Sequence, residues 1–180
     1  MGMDVYGVNP QIKSERPERP ETDDYDSDDW SKHWDAMQAW EQENVGAYFR
    51  NNVWWWRPLW NYVNAICDDV LTEEDHQSGH HNDGHLIDAD KCQLIAERLA
   101  KELLNGGVTK FKDERQQHLD KLPNRTCTTC DGTGDRDNKD CHTCDGTGEQ
   151  EHWDRSYPFE EANVREFLSF IKESGGFEIS

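Results

Sequence analysis

The chain has 180 residues, only 33% of them hydrophobic, and carries a formal net charge of −19. That acidity excludes a surface that tracks nucleic-acid phosphates, which needs clustered Lys and Arg. The length points to one domain or one domain with an appended module, and no run approaches the ~20 apolar residues of a membrane span.

Residues 3–6 alternate weakly and are expected to form a short first strand, ended by Gly7 and Pro10. The opening Met1-Gly-Met-Asp-Val-Tyr lacks the basic and apolar regions of a signal peptide, so the expected compartment is the cytoplasm. Residues 11–29 are polar and Pro-containing and read as a flexible acidic insertion. Within them Glu21-Thr-Asp-Asp-Tyr-Asp-Ser-Asp-Asp29 holds six acids in nine residues. Solubility, or adaptation to salt, accounts for such charge; mimicry of a nucleic acid on a basic target is the sharper reading.

Ser31 is placed to cap a helix to about Val45, with Trp34, Met37 and Trp40 along one face. Then comes Tyr48-Phe-Arg-Asn-Asn-Val-Trp-Trp-Trp-Arg-Pro-Leu-Trp60. Its aromatic and β-branched residues favour an extended segment to Trp56 or Arg57, and Pro58 suits the first turn of a helix ending near Asp69. Leu59, Val63 and Ile66 share a face of that helix, flanked by Trp60 and Cys67. Asp88 caps a helix over 89–104, with Cys92, Ile95, Leu99 and Leu103 inward and Asn105-Gly-Gly107 at its end. A further helix covers 161–173, and Phe177-Glu-Ile179 closes the chain as a strand. The expected fold is α+β: a small mixed body of three or four helices and a short sheet, formed by 1–126 and 149–180, with 127–148 inserted as a hairpin.

That insertion carries the clearest chemistry. Cys127-Thr-Thr-Cys130-Asp-Gly-Thr-Gly134 and Cys141-His-Thr-Cys144-Asp-Gly-Thr-Gly148 differ at one position in eight. Four thiols in a C-x2-C-x10-C-x2-C frame make a tetrahedral thiolate site, which zinc fits best, with iron as the substitute. Gly132 and Gly146 supply the positive φ of a knuckle whose backbone N–H groups face the sulfurs. Cys127, Cys130, Cys141 and Cys144 are therefore the expected ligands of one structural Zn2+ per chain. Four thiolates leave no open position for a reacting water, and His142 within the second knuckle is expected to face solvent.

The doublet resembles the CxxCxGxG repeats of the DnaJ cysteine-rich domain and the zinc hairpin of the small inhibitor anti-TRAP. DnaJ proteins carry four such repeats and a His-Pro-Asp motif; this chain has two repeats and no His-Pro-Asp. Recruitment of a chaperone ATPase is thus not implied. The likeness to anti-TRAP implies a module that docks on another protein and blocks it. The opening Met-Asp-Val-Tyr-Gly, the tryptophan block, Asn82-Asp-Gly84 and the ending Asn163-Val-Arg-Glu-Phe…Glu-Ser-Gly-Gly-Phe177 also look like an uncharacterised family of phage and bacterial proteins, although the acidic insertion departs from that family's usual shape. That likeness implies a phage or prophage setting, a cytoplasmic host compartment, and a protein partner of host or phage origin.

Two further clusters invite function. His76, His80, His81 and His85 lie within ten residues, and His81-x-Asp83-x-His85 offers ligands for a second metal that could activate water for hydrolysis. The plain alternative is a solvated loop, since Ser78-Gly and Asn82-Asp-Gly are turn sequences and neither His-Glu-x-x-His nor His-x-His-x-Asp-His is present. Trp54, Trp55 and Trp56 cannot all enter one core from an extended segment. Trp54, Trp56, Arg57, Asn82 and His142 are accordingly the candidate binding surface, and Trp56, Arg57 and Asn82 a candidate pocket for a nucleotide signal.

Overall fold

The computed structural model describes residues 2–180. β1 (Gly2–Gly7) leads into a long irregular arm and then α1 (Asp28–Glu43). β2 (Tyr48–Asn52) runs directly into α2 (Val53–Ile66), followed by the short α3 (Glu73–Ser78) and β3 (His85–Ile87). α4 (Ala89–Asn105) and α5 (Gly107–Lys121) come next, and α6 (Glu161–Ser174) and β8 (Phe177–Ile179) close the chain. Between α5 and α6 lie four two-residue strands, β4 (Arg125–Thr126), β5 (Asp135–Arg136), β6 (Lys139–Asp140) and β7 (Glu149–Gln150). The fold is α+β, with six α-helices among the described residues where the apolar periodicity reveals three or four.

One antiparallel sheet, in the order β2-β1-β8-β3, organises the body. Strand alternation decides its faces: Met3, Val5, Phe49, Phe177 and Ile179 are buried, whereas Tyr6 and Leu86 are exposed. The buried face meets α2 and α6, and α4 packs against α6. Trp56 and Trp60, one helical turn apart, stack at 5.6 Å with an interplanar angle of 9°. Phe167 meets Trp56 edge-on and Phe177 edge-on, at 5.6 and 5.7 Å. Offset and edge contacts of this kind add about 0.5–1.5 kcal/mol each beyond the area they bury.

The tryptophan block corrects the extended reading. The strand stops at Asn52, whose side-chain oxygen accepts the N–H groups of Trp54 and Trp55 and starts a helix at Val53. Helical spacing, not strand alternation, therefore sorts the tryptophans: Trp56 goes to the core, Trp54 stays exposed and Trp55 is half-buried. Pro58 sits in the sixth position of this helix rather than its first turn.

Two other boundaries move. α1 begins at Asp28 with Ser27 before it, four residues ahead of the helix expected behind a Ser31 cap; Trp30 and Met37 are its buried residues, and Trp34 is 57% exposed. After α4, Gly106 turns left-handed at φ +77° as expected of a stop, but α5 starts at the next residue. The arm over 11–27 has no helix or strand, yet hydrogen bonds tie it down. Lys13 N–H donates to Asn44 Oδ1 (2.6 Å), and the indoles of Trp40 and Trp30 donate to the carbonyls of Ser14 and Thr22 (2.9 Å each). No helix among the described residues is long and apolar enough to cross a membrane.

Candidate metal centre

The hairpin has its own core, made of four side chains: Cys127, Cys130, Cys141 and Cys144 form a buried cluster separate from that of the body. Their sulfurs all lie within 4.8 Å of one another. Cys127 and Cys141 are 3.9 Å apart at Sγ, and Cys130 and Cys144 3.7 Å. A tetrahedron of thiolates with metal–sulfur bonds of about 2.3 Å has edges of about 3.8 Å, whereas a disulfide would bring sulfurs to about 2.05 Å. Four buried cysteines are thus positioned to hold one metal ion, and their spacing fits a tetrahedral one.

The repeat explains the geometry residue by residue. Asp131 and Gly132 turn left-handed at φ +51° and +80°, and Asp145 and Gly146 repeat the turn at +49° and +77°. This brings the N–H of Gly134 to Cys130 Sγ and that of Gly148 to Cys144 Sγ, each at 3.3 Å. The sulfur-directed donors are therefore the final glycines of the two repeats, two residues beyond Gly132 and Gly146. Thr133 and Thr147 bridge each knuckle, their hydroxyls donating to the carbonyls of Cys130 (2.7 Å) and Cys144 (2.6 Å). The halves then clasp each other: Cys127 N–H reaches the Gly148 carbonyl at 2.9 Å and Cys141 N–H the Gly134 carbonyl at 2.8 Å.

Electrostatics divide the thiols. At Cys127 burial disfavours the thiolate, but the N–H groups of Thr129 and Cys130 and the neighbouring thiols outweigh it and bring the group down to about 7. At Cys144 burial, assisted by the surrounding thiols, pushes the group up to about 11. Sulfurs this close cannot all be anionic without a cation among them.

The histidine loop is built differently. His81 and Asp83 are exposed, and His85 turns away from them to place Nε2 3.0 Å from Asp75 Oδ1. Among the described residues the four cysteines form the one group of three or more metal-binding side chains that converges. Asp75, not singled out from the sequence, is the centre of this region: it is buried, caps α3 through Thr72, and receives Lys91 Nζ at 2.7 Å. Burial opposes its charge, but hydrogen bonds from Lys91, Thr72 and His85 prevail and hold its carboxyl at about 2. The Thr72-x-x-Asp75 capping pattern was the available signal. His80 is half-buried, and burial, aided by the charges of Arg57 and His81, lowers its pKa.

The candidate binding surface divides in the same way. Trp56 is fully buried with its indole N–H donated to the Gly79 carbonyl at 2.7 Å, so it belongs to the core and lines no nucleotide pocket with Arg57 and Asn82. Asn82 donates to the Gly2 carbonyl at 2.7 Å. Trp54 stays 41% exposed against Tyr157, whose hydroxyl takes Arg57 NH1 at 3.1 Å. His142 and Thr143 are exposed at the second knuckle. Sequence reading passed over Trp153, which is 60% exposed beside the hairpin base with the Arg125 guanidinium 3.8 Å from its ring centroid.

No family model, no curated protein and no solved structure matches the chain.

Proposed function

We propose that this chain is a zinc-stapled accessory protein of phage or bacterial origin that works by binding another protein, as an inhibitor or counter-defence factor does. The observation that carries this reading is the closed four-thiol centre. Cys127, Cys130, Cys141 and Cys144 would hold the ion, and four sulfurs complete its coordination, so zinc here supplies rigidity and no reacting water. The ion locks two knuckles whose outer residues, Thr128, His142 and Thr143, are exposed. At the base of the hairpin stand Trp153 and Arg125, residue types that concentrate binding energy at protein interfaces. The phage setting rests on the sequence likeness described above.

The test is capture from host lysate by the zinc-loaded protein, compared with a His142→Ala/Thr143→Ala/Trp153→Ala variant. A stoichiometric partner is expected on the native protein and at least tenfold less on the variant, with zinc content and circular dichroism unchanged. Equal capture by both proteins, or none by either, contradicts the proposal.

A further inference from the structure

We propose that the free edge of β2 is a docking groove for an extended, basic segment of another protein, which adds to the sheet as a fifth strand. β2 is the outermost strand of the sheet, and its register with β1 fixes where its backbone groups point. Gly7 N–H donates to the Ala47 carbonyl at 3.0 Å, and Ser180 N–H donates to the Asp4 carbonyl at 2.8 Å. In an antiparallel ladder the bonding direction alternates. Phe49 and Asn51 therefore bond to β1, while Tyr48 and Arg50 turn their N–H and C=O groups outward. Among the described residues none of these four groups has a backbone partner.

The space beside this edge is open along the whole strand. A cavity of about 630 Å³ lies at the Asn52 end, bounded by Trp55, Asn163 and Glu166. A second, of about 880 Å³, lies at the Tyr48 end against Trp34 and Trp40 of α1. Both are lined by Arg50 and Glu166, and together they touch all five residues of β2. The groove exists because α1 stands off the sheet. Neither Trp30 nor Met37, its buried residues, joins the main core, and the helix is anchored instead through the arm by hydrogen bonds. An unpaired edge usually invites association unless it is covered or charged. Here main-chain groups would supply affinity and the aromatic-walled cavities would receive alternate side chains, as in other strand-addition sites.

Charge names the occupant. Residues 21–43, which lead into and form the α1 wall, hold nine Asp or Glu against one Lys. Asp35, Glu41 and Glu166 face the groove; of the two arginines there, Arg16 rests on the Trp40 ring at 5.7 Å. With a net charge of −19 on the chain, the field draws in a basic segment and opposes both a nucleic acid and a second copy of this protein. This groove shares no residue with the hairpin surface, so the two readings fail separately.

The experiment titrates the full-length, zinc-loaded protein into fluorescein-labelled decapeptides and reads anisotropy. The probes are an alternating Lys-Val peptide, its Glu-Val counterpart, and the Lys-Val peptide N-methylated at every second backbone amide along one edge, prepared in both registers. The Lys-Val peptide is expected to bind, with affinity falling at least tenfold for the Glu-Val peptide and for one of the methylated registers. Arg50→Pro deletes one outward N–H and leaves the β1 ladder intact, and it is expected to weaken binding at least tenfold. His142→Ala/Thr143→Ala/Trp153→Ala is expected to bind the peptide as the native protein does. Should Arg50→Pro fail to fold, the methylated peptides still read the backbone bonds. No binding, or equal binding of the methylated and unmethylated peptides, overturns the proposal. So does a concentration-dependent dimer in sedimentation that Arg50→Pro abolishes, because the edge then serves a second copy.

Discussion

Gly134 lies directly against the carbonyl of Gly146: a methyl group on Gly134 would stand 2.2 Å from that oxygen. Gly148 stands in the same relation to the carbonyl of Gly132, at 2.3 Å. The two repeats interlock through these contacts, and each glycine also donates its N–H to a sulfur. The final glycine of each repeat thus serves the approach of two backbones as well as the turn.

This predicts an order among glycine variants. Gly134→Ala meets backbone, which cannot yield, and places an L-residue at φ +75° at a cost of about 1–2 kcal/mol before the clash is counted. Gly132→Ala meets the Thr126 methyl group at 2.9 Å, a side chain able to rotate away. Zinc affinity, measured by competition with a chromophoric chelator, is expected to fall at least tenfold for Gly134→Ala and less for Gly132→Ala.

Thiol counting separates the two cores. Cys67 and Cys92 lie in the body, where burial pushes the Cys67 thiol up to about 11 and raises that of Cys92. A thiol reagent at pH 7 is expected to find none of the six cysteines in the metal-bound protein. After chelation it should find the four of the hairpin, and after denaturation all six. Release of all six on chelation alone would mean that the body depends on the metal.

Asp75 gives the body a defined response to acid. Its folded pKa of about 2 lies below the ordinary 3.8, so its contribution is complete above the unfolded value and is lost as pH falls through the folded one. The shift corresponds to about 2 kcal/mol. In urea unfolding at pH 7, Asp75→Asn is expected to be less stable than the native chain by about that amount. The difference should hold from pH 7 to 5 and shrink between about pH 4 and 2. A constant difference across that window would assign the loss to packing.

Gly79→Ala probes the tryptophan stack. Gly79 has ordinary helical torsions, φ −62° and ψ −8°, so its smallness answers a need for space. A methyl there would stand 2.1 Å from the Trp60 ring, which is fully buried against Trp56. In a close-packed core such an intrusion costs about 2–3 kcal/mol, read as a lower denaturation midpoint with the metal still bound.

How much of this was legible in the sequence depended on where stabilisation comes from. Helices α4 and α6 bury continuous stripes, Cys92-Ile95-Leu99 and Val164-Phe167-Leu168-Ile171, and periodicity finds them. Helix α5 buries only Val108 and Leu119, so a Gly-Gly pair ahead of it reads as the end of structure. The tryptophan block was ambiguous because aromatic residues favour strands in isolation, whereas the cap at Asn52 and core packing made it helical. The metal centre was legible because its ligands are local in sequence. The edge groove was not, since it depends on how residues far apart in the chain, such as Arg50, Trp34 and Glu166, are placed together.

X-ray absorption at the zinc edge of the purified native chain, with elemental analysis of the same sample, reads out whether the four thiols close the coordination of a structural zinc. One zinc per chain and a first shell of four sulfurs at about 2.3 Å are expected. A light scatterer at about 2.0 Å in that shell, marking a nitrogen or a water in place of a thiolate, would contradict it, as would a protein that folds fully without the ion.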